Sequence, residues 1–244
     1  MIRFSLVAIP VTIRPTFWLV ALFLGWGVGD QALLAAWVAI VFVSVLAHEL
    51  GHALLARRFG AEVSITLTTF GGYTRWSLES GGTMSPGRRA LVAGAGSAVG
   101  IVLGLAVLGL FVATRPWGPT AATITTLIVW VNVGWGVLNW LPIRPLDGGH
   151  LTLAILDLVA PKRAERIASV LFVVTSLAAL GAALYFDLTF AAILAGFMAW
   201  AEISRHFGNR TGGGPVEFSY DDPETESASP EESAGPGEAR PRLD

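Results

Sequence analysis

An apolar run that begins at Leu33 contains three ionisable side chains, His48, Glu49 and His52, within the stretch LAHELGHALLARR. The run is long enough to cross a membrane, because about 20 mostly apolar residues span the hydrocarbon core as a helix. Ionisable side chains inside such a span are costly unless they are paired or used. The sequence therefore predicts a transmembrane helix over about 33–57 that carries a functional site.

The spacing of the two histidines indicates a metal site. Residues four apart on a helix lie on one face, one turn apart, so the imidazoles of His48 and His52 can reach one cation. Zinc binds neutral imidazole nitrogens, and a catalytic zinc site keeps one coordination position open for water. Glu49 is the residue type that takes a proton from that water. The alternative is a buried polar cluster that holds no metal.

The composition predicts a polytopic membrane protein. Hydrophobic residues make up 53% of the 244 residues, charged residues make up 14%, and the mean hydropathy is +0.62. A soluble domain of this size exposes more charge, so these values exclude a soluble protease. The absence of cysteine excludes disulfides and thiolate ligands, which leaves histidine and carboxylate side chains for a metal. We expect contact with a lipid bilayer and none with nucleic acid.

Apolar segments divide residues 1–207, and we predict an all-α polytopic membrane domain with a small β-hairpin or sheet at the cytoplasmic surface. About six spans are expected, over residues 15–29, 33–57, 89–113, 124–141, 167–185 and 188–207. An N-terminal strand precedes the first span. Alternating residues over 62–78, with a turn at Phe70-Gly71-Gly72, predict the hairpin. Residues 208–244 are rich in Gly, Pro, Ser and Glu, which predicts a disordered acidic tail.

The fourth predicted span breaks at Pro142 and Pro145, shortly before Asp147. Proline ends a helix, and unwound backbone at membrane depth is tolerated only where protein or a water-filled cavity covers it. A carboxylate directly after this break is therefore a candidate metal ligand. The alternative is that Asp147 is the N-cap of the following helix. Glu202 in the sixth span is a further alternative for the third ligand.

Basic residues are segregated among the predicted loops. Six spans put nearly all of them on one side of the membrane, and leave Arg115 with Asp30 and Asp187 on the other. The positive-inside rule then places both termini and the hairpin in the cytoplasm. No small-residue cleavage site follows the N-terminal segment, so a strand is favoured over a signal peptide. We expect an integral protein of a bacterial plasma membrane.

In combination, these motifs resemble the site-2 protease family of intramembrane zinc metalloproteases, in the short form without PDZ or CBS domains. The resemblance rests on HELGH in an early span, on the hairpin with Phe70-Gly71-Gly72, and on NWLPIRPLDGG over 139–149. Three positions depart from the family pattern. The third span has Ala95-Gly96-Ser97 where Ala-Gly-Pro is frequent, and Gly100 where a later asparagine is frequent. Arg144 stands where proline or a small apolar residue is usual.

The resemblance implies a role for each candidate residue. It implies a zinc ion held by His48, His52 and Asp147, with Glu49 as the catalytic base. Asn139 matches an asparagine that helps to hold the substrate or the oxyanion, although an interhelical hydrogen bond is the alternative. The hairpin resembles the element that presents a substrate strand near the zinc.

The function implied is that of an intramembrane zinc metalloendopeptidase, which hydrolyses a peptide bond within or near a transmembrane segment of a membrane-anchored substrate. One alternative is a catalytically silent relative that acts as a membrane scaffold, but binding a metal would not require Glu49. The other is a membrane protein that binds or transports metal, although spans five and six offer few polar residues. His150 is expected to be structural, and Glu165 is expected at the surface.

Overall fold

The computed structural model describes residues 1–69, 71–78, 82–114 and 118–208. The strands are β1 (Ile2–Leu6), β2 (Ile9–Ile13), β3 (Ala61–Thr68) and β4 (Gly71–Leu78). The helices are α1 (Pro15–Leu24), α2 (Gln31–Arg58), α3 (Pro86–Thr114), α4 (Pro119–Val129), α5 (Trp135–Asn139), α6 (Asp147–Val159), α7 (Ala164–Tyr185) and α8 (Thr189–Gly208). A π-helical turn, Trp130–Gly134, joins α4 to α5. The predicted acidic tail and Phe70 of the predicted turn lie outside the described residues.

Four helical stretches in the described part of the chain are long and apolar enough to cross a membrane, and the chain is an integral membrane protein. They are α2, α3, the continuous stretch Pro119–Asn139 and α7. The predicted count of six spans is not confirmed. Helix α1 has 10 residues and therefore rises about 15 Å, half of the hydrocarbon core. Helix α8 carries Glu202 and Arg205, which lower its mean hydropathy.

The N-terminal segment forms two strands, and the prediction of a single strand is wrong. Strands β1 and β2 pair antiparallel, with Leu6 opposite Ile9. The connecting residues Val7 and Ala8 have φ angles of 52° and 58°, the left-handed region that two-residue hairpin turns require. Such turns usually contain asparagine or glycine, so Val-Ala gives no turn signal in the sequence.

The predicted hairpin is confirmed as β3 and β4, and it belongs to a four-stranded sheet in the order β1-β2-β3-β4. Strand β2 pairs in parallel with β3, with Val11 opposite Ile65. A parallel pair needs a long crossover connection, which α1 and α2 supply. Strand β4 is consequently an outer strand of the described sheet.

One face of the sheet packs on α1 and α2. Ile65 and Leu67 of β3 are buried in a cluster whose other buried members are Ile9, Val11, Ile13, Phe17 and Ala53. Ala53 lies one residue after the second histidine of α2 and is fully buried. Its methyl side chain lets the sheet lie close to the helix at this point. The sheet is therefore fixed against the turn of α2 that carries HELGH.

Ile65→Ala tests the packing of the sheet on α2. Ile65 is almost completely buried, so truncation removes apolar contacts and leaves a cavity, at a cost of about 2–5 kcal/mol of unfolding free energy. Ile2→Ala is the matched control, because Ile2 is an exposed isoleucine of the same sheet. We expect unfolding in detergent micelles to show a large loss for Ile65→Ala and a small one for Ile2→Ala. Equal effects would contradict this packing.

Candidate metal centre

The polar turn of α2 brings its two histidines together, as the four-residue spacing predicts. His48 and His52 are both buried, and their Nε2 atoms lie 3.1 Å apart. The ring of His52 is oriented from its other side, where Nδ1 lies 2.7 Å from the carbonyl oxygen of Val92 on α3. A carbonyl oxygen only accepts hydrogen bonds, so Nδ1 carries the proton. In the neutral ring, Nε2 therefore presents a lone pair towards His48.

Asp147 completes this cluster from a different helix. Its Oδ2 atom lies 3.1 Å from Nε2 of His48 and 3.2 Å from Nε2 of His52. The N-cap of α6 is Leu146, so the alternative role of Asp147 as the N-cap is wrong. Asp147 is instead the first residue of α6, directly after the segment that the prolines break. Ser97 of α3 donates a hydrogen bond of 3.2 Å to the same carboxylate oxygen.

The three donor atoms fit a zinc ion. Two imidazole nitrogens and a carboxylate oxygen approach one another to 3.1–3.2 Å, which brings lone pairs together in a buried place. In tetrahedral zinc, bonds of about 2.0–2.1 Å separate neighbouring donors by about 3.3 Å. A cation would thus stabilise the observed arrangement. Within the described residues, His48, His52 and Asp147 form the group that could hold a metal ion.

The alternative ligands lie elsewhere. Glu202 is buried in α8, where it accepts a 2.9 Å hydrogen bond from Ser169 of α7, so its alternative role as the third ligand is wrong. His150 lies outside the metal-binding group of the described residues. Glu165 is exposed, as predicted, and forms a 2.6 Å ion pair with Arg144.

The side chain of Glu49, a residue of α2, lies against strand β4. Its side chain is 4% exposed, and Thr74 Oγ1 donates to its Oε2 atom at 2.7 Å. A Cβ added at Gly72 would lie 2.5 Å from Cγ of Glu49, so a larger residue there would displace the Glu49 side chain from its observed position. Sequence reasoning missed Thr74. Its position two residues after Gly72 was the available signal, because alternate residues of a strand face the same side.

One glycine and two asparagines also lie close to the polar turn of α2. A Cβ at Gly96 of α3 would overlap the ring of His52. Gly96 therefore packs directly against the metal-binding group. Asn139, the last residue of α5, is buried with Nδ2 3.4 Å from Nε2 of His48. Seven residues earlier, Asn132 forms an interhelical hydrogen bond of 2.8 Å with Ser44.

Comparison with protein families gives a match to Peptidase family M50 over residues 36–116 and 116–180. The matched residues include the two histidines, Glu49 and Asp147. A putative zinc metalloprotease of Synechocystis sp. is 39% identical over 120 residues, which cover 48% of this chain and 30% of the relative. The putative zinc metalloprotease Rip3 of Mycobacterium tuberculosis is 36% identical over 149 residues, covering 57% of this chain and 37% of the relative.

A zinc metalloprotease of Methanocaldococcus jannaschii is 28% identical over 161 residues, covering 63% of this chain and 44% of the relative. The chain thus spans less than half the length of these curated relatives. Among solved structures, a site-2 protease from Methanocaldococcus jannaschii matches with a TM-score of 0.55 at 22% identity. The match covers 88% of this chain and 97% of that one, so the two share a fold over nearly their whole length.

Gly96→Ala tests the close approach of α3 to the metal centre. The added methyl group would push against the His52 ring, so we expect zinc affinity to fall by roughly 10- to 100-fold, as for other disturbed ligand supports. Gly94→Ala is the matched control, because a Cβ at Gly94 meets nothing within 4 Å. Chelator competition on the purified protein measures both affinities. Equal zinc affinity in the two variants would contradict the packing described.

Proposed function

Because this chain belongs to peptidase family M50, we propose that it is a zinc metalloendopeptidase which hydrolyses a peptide bond within or near a transmembrane segment of a membrane-anchored protein. The observation that carries this proposal is the buried convergence of His48, His52 and Asp147 beside Glu49. The helix on which three of these residues lie is long and apolar enough to cross a membrane.

His48, His52 and Asp147 would hold the zinc ion, one per chain. Two neutral nitrogens and one carboxylate oxygen match the three protein ligands of catalytic zinc sites, which leave a position for water or substrate. Zinc in such a site acts as a Lewis acid towards water and towards the substrate carbonyl. The hydrogen bond from Nδ1 of His52 to the Val92 carbonyl supports this role, because it keeps Nε2 free to bind a cation.

Glu49 would act as the general base. It follows the first histidine directly and is buried, so its carboxylate is close to the ligands without being one of them. We propose that it accepts a proton from the attacking water and passes that proton to the leaving amine. A positioned general base contributes about 10²- to 10⁴-fold to a rate, which sets the scale of the loss expected without it.

Asn139 would bind the scissile carbonyl. Its amide nitrogen lies 3.4 Å from Nε2 of His48, at the edge of the donor cluster, and it can donate two hydrogen bonds. A donor at this place would stabilise the carbonyl oxygen as it gains negative charge. Such a donor is effective in a buried site because it needs no reorganisation when the charge develops.

The substrate would bind as an extended strand along β4. A transmembrane helix hides its peptide bonds in hydrogen bonds between residues four apart, so the substrate must unwind locally before cleavage. Strand β4 pairs with β3 on one side and is the outer strand of the described sheet, which leaves an edge for strand addition. Gly72 and Thr74 of this strand contact Glu49, so the edge is next to the base.

We further propose that the sheet and both termini lie in the cytoplasm of a bacterial cell, with the helices in its plasma membrane. Arg57 and Arg58 end α2, and Arg88 and Arg89 lie at the start of α3, on the side of the sheet. Basic residues at helix ends favour the cytoplasmic side. His48 lies about 15 Å before the end of α2, at ~1.5 Å per residue, so water would enter from the cytoplasm.

Zinc content and cleavage together test this function. We expect purified protein and Glu49→Gln to bind zinc equally, since Glu49 is not a ligand, whereas Asp147→Ala loses a ligand and binds weakly. Cleavage of a membrane-anchored substrate should fall by at least about 10²-fold in both variants. Glu62→Gln is the matched control, because Glu62 is an exposed glutamate of β3.

Four results would contradict the proposal. Protein without zinc, or Asp147→Ala with unchanged zinc affinity, would refute the ligand assignment. Normal zinc content without cleavage of membrane-anchored substrates would favour the silent relative. Uptake of zinc into vesicles that contain the protein would favour a transporter.

A further inference from the structure

The hydroxyl group of Thr74 contacts both the main chain and the side chain of Glu49, the proposed base. Thr74 Oγ1 lies 2.7 Å from Oε2 of Glu49 and 3.1 Å from the Glu49 carbonyl oxygen. A hydroxyl group has a single proton, and both of these oxygens are acceptors, so the proton is shared between them. Hydrogen bonds to a carboxylate at this distance are among the stronger ones in proteins. The hydroxyl thus fixes the carboxylate relative to the helix backbone.

The sheet register explains why Thr74 faces the helix. Thr74 lies opposite Ile65 of β3, and Gly72 lies opposite Leu67. Paired residues point to the same face of a sheet, and Ile65 and Leu67 are buried in the cluster on α1 and α2. Thr74 and Gly72 therefore face α2 as well. This alternation makes Thr74 the residue of β4 that can reach the end of the Glu49 side chain.

Gly72 and Thr74 together restrict the conformation of Glu49. A Cβ at Gly72 would lie 2.5 Å from Cγ of Glu49 and 2.7 Å from its Oε1, so the side chain passes directly over this glycine. Beyond the glycine, the carboxylate meets the Thr74 hydroxyl at 2.7 Å. The strand thus provides a gap for the stem of the side chain and a donor for its end. Other rotamers of Glu49 would lose that hydrogen bond.

We propose that Thr74 is a positioning residue which couples strand β4 to the base, so that a substrate paired with β4 meets a carboxylate already oriented for proton transfer. This inference rests on the proposed function. The side chains of a strand stand roughly perpendicular to the sheet, while its main chain pairs within the sheet. Thr74 can therefore hold Glu49 with its hydroxyl while the main chain of β4 pairs with the substrate at the outer edge of the described sheet. The role differs from substrate binding, because the hydroxyl contacts the base.

The experiment compares Thr74→Val, Thr74→Ser and a control, Thr66→Val, in cleavage of a membrane-anchored substrate. Thr66 is a half-buried threonine of β3 that lies opposite Tyr73, on the face of the sheet away from α2. Without the hydroxyl at position 74, we expect kcat to fall about 10- to 100-fold while KM changes by less than about threefold. Thr74→Ser keeps the donor and should retain most of kcat. Thr66→Val should behave as the unaltered protein.

Zinc content and unfolding temperature separate positioning from a structural role. We expect Thr74→Val to bind zinc and to unfold as Thr66→Val does, since valine has the shape of threonine. If Thr74→Val does not fold, Thr74→Ala removes the same hydroxyl and is compared with Thr74→Ser in the same assay.

The inference is overturned if the variants without a hydroxyl at position 74 keep the kcat of Thr66→Val, or if their loss lies in KM. It is equally overturned if Thr74→Ser loses as much kcat as Thr74→Val. A failure of the proposed function is distinguishable, because the unaltered protein would then cleave nothing. Cleavage by the unaltered protein with an unaffected Thr74→Val variant would refute only the coupling.

Discussion

The structure depends on the meeting of a carboxylate from α6 with two imidazoles from α2 at 3.1–3.2 Å. Such a group of acceptors is costly in an apolar place unless a cation joins them. Grouping these three side chains requires very close packing of the backbones that carry them. A Cβ at Gly51 of α2 would lie 2.9 Å from the carbonyl oxygen of Ala95, and a Cβ at Gly148 would overlap the carbonyl of Leu141. Glycine therefore lies where each ligand-carrying helix packs closely on a neighbouring segment, α2 on α3 and α6 on residues 140–141.

Two ion pairs fix the position of α6, the helix that carries Asp147. One lies near the end of α6 and the other lies just before its start. Arg89, near the start of α3, pairs with Asp157, near the end of α6, at 2.6 Å. Arg144, three residues before Asp147, pairs with Glu165 of α7 at 2.6 Å and lies 5.0 Å from the ring centroid of Phe172. The arginine that departs from the family pattern thus ties the segment before α6 to α7. Arg144 acts on the metal centre only indirectly, because its guanidinium group contacts α7 while the Asp147 carboxylate contacts the histidines of α2.

Most of the features predicted from the sequence depend on local spacing. The interval of four residues between His48 and His52 fixes a shared helix face, and alternation along β3 and β4 indicates a hairpin. The parallel pairing of β2 with β3 is different, because it joins Val11 to Ile65 across two helices and leaves no local pattern. The contact of Thr74 with Glu49 likewise depends on how the sheet packs against α2. The turn at Val7 and Ala8 was missed because its residues lack the usual turn chemistry.

A short segment of α2 is contacted by every other part of the site. Asn132, which lies in the π-helical turn, donates a hydrogen bond of 2.8 Å to Ser44 of α2. The side-chain nitrogen of Asn139 lies 3.4 Å from Nε2 of His48, four residues after Ser44 on α2. Residues 44–52 also meet Asp147 of α6, the Val92 carbonyl of α3 and Thr74 of β4. These partners reach four residues of one helix, Ser44, His48, Glu49 and His52. A rotation of α2 that favoured one contact would break the others, so the ligands and the base are positioned together by the packing of these elements on α2.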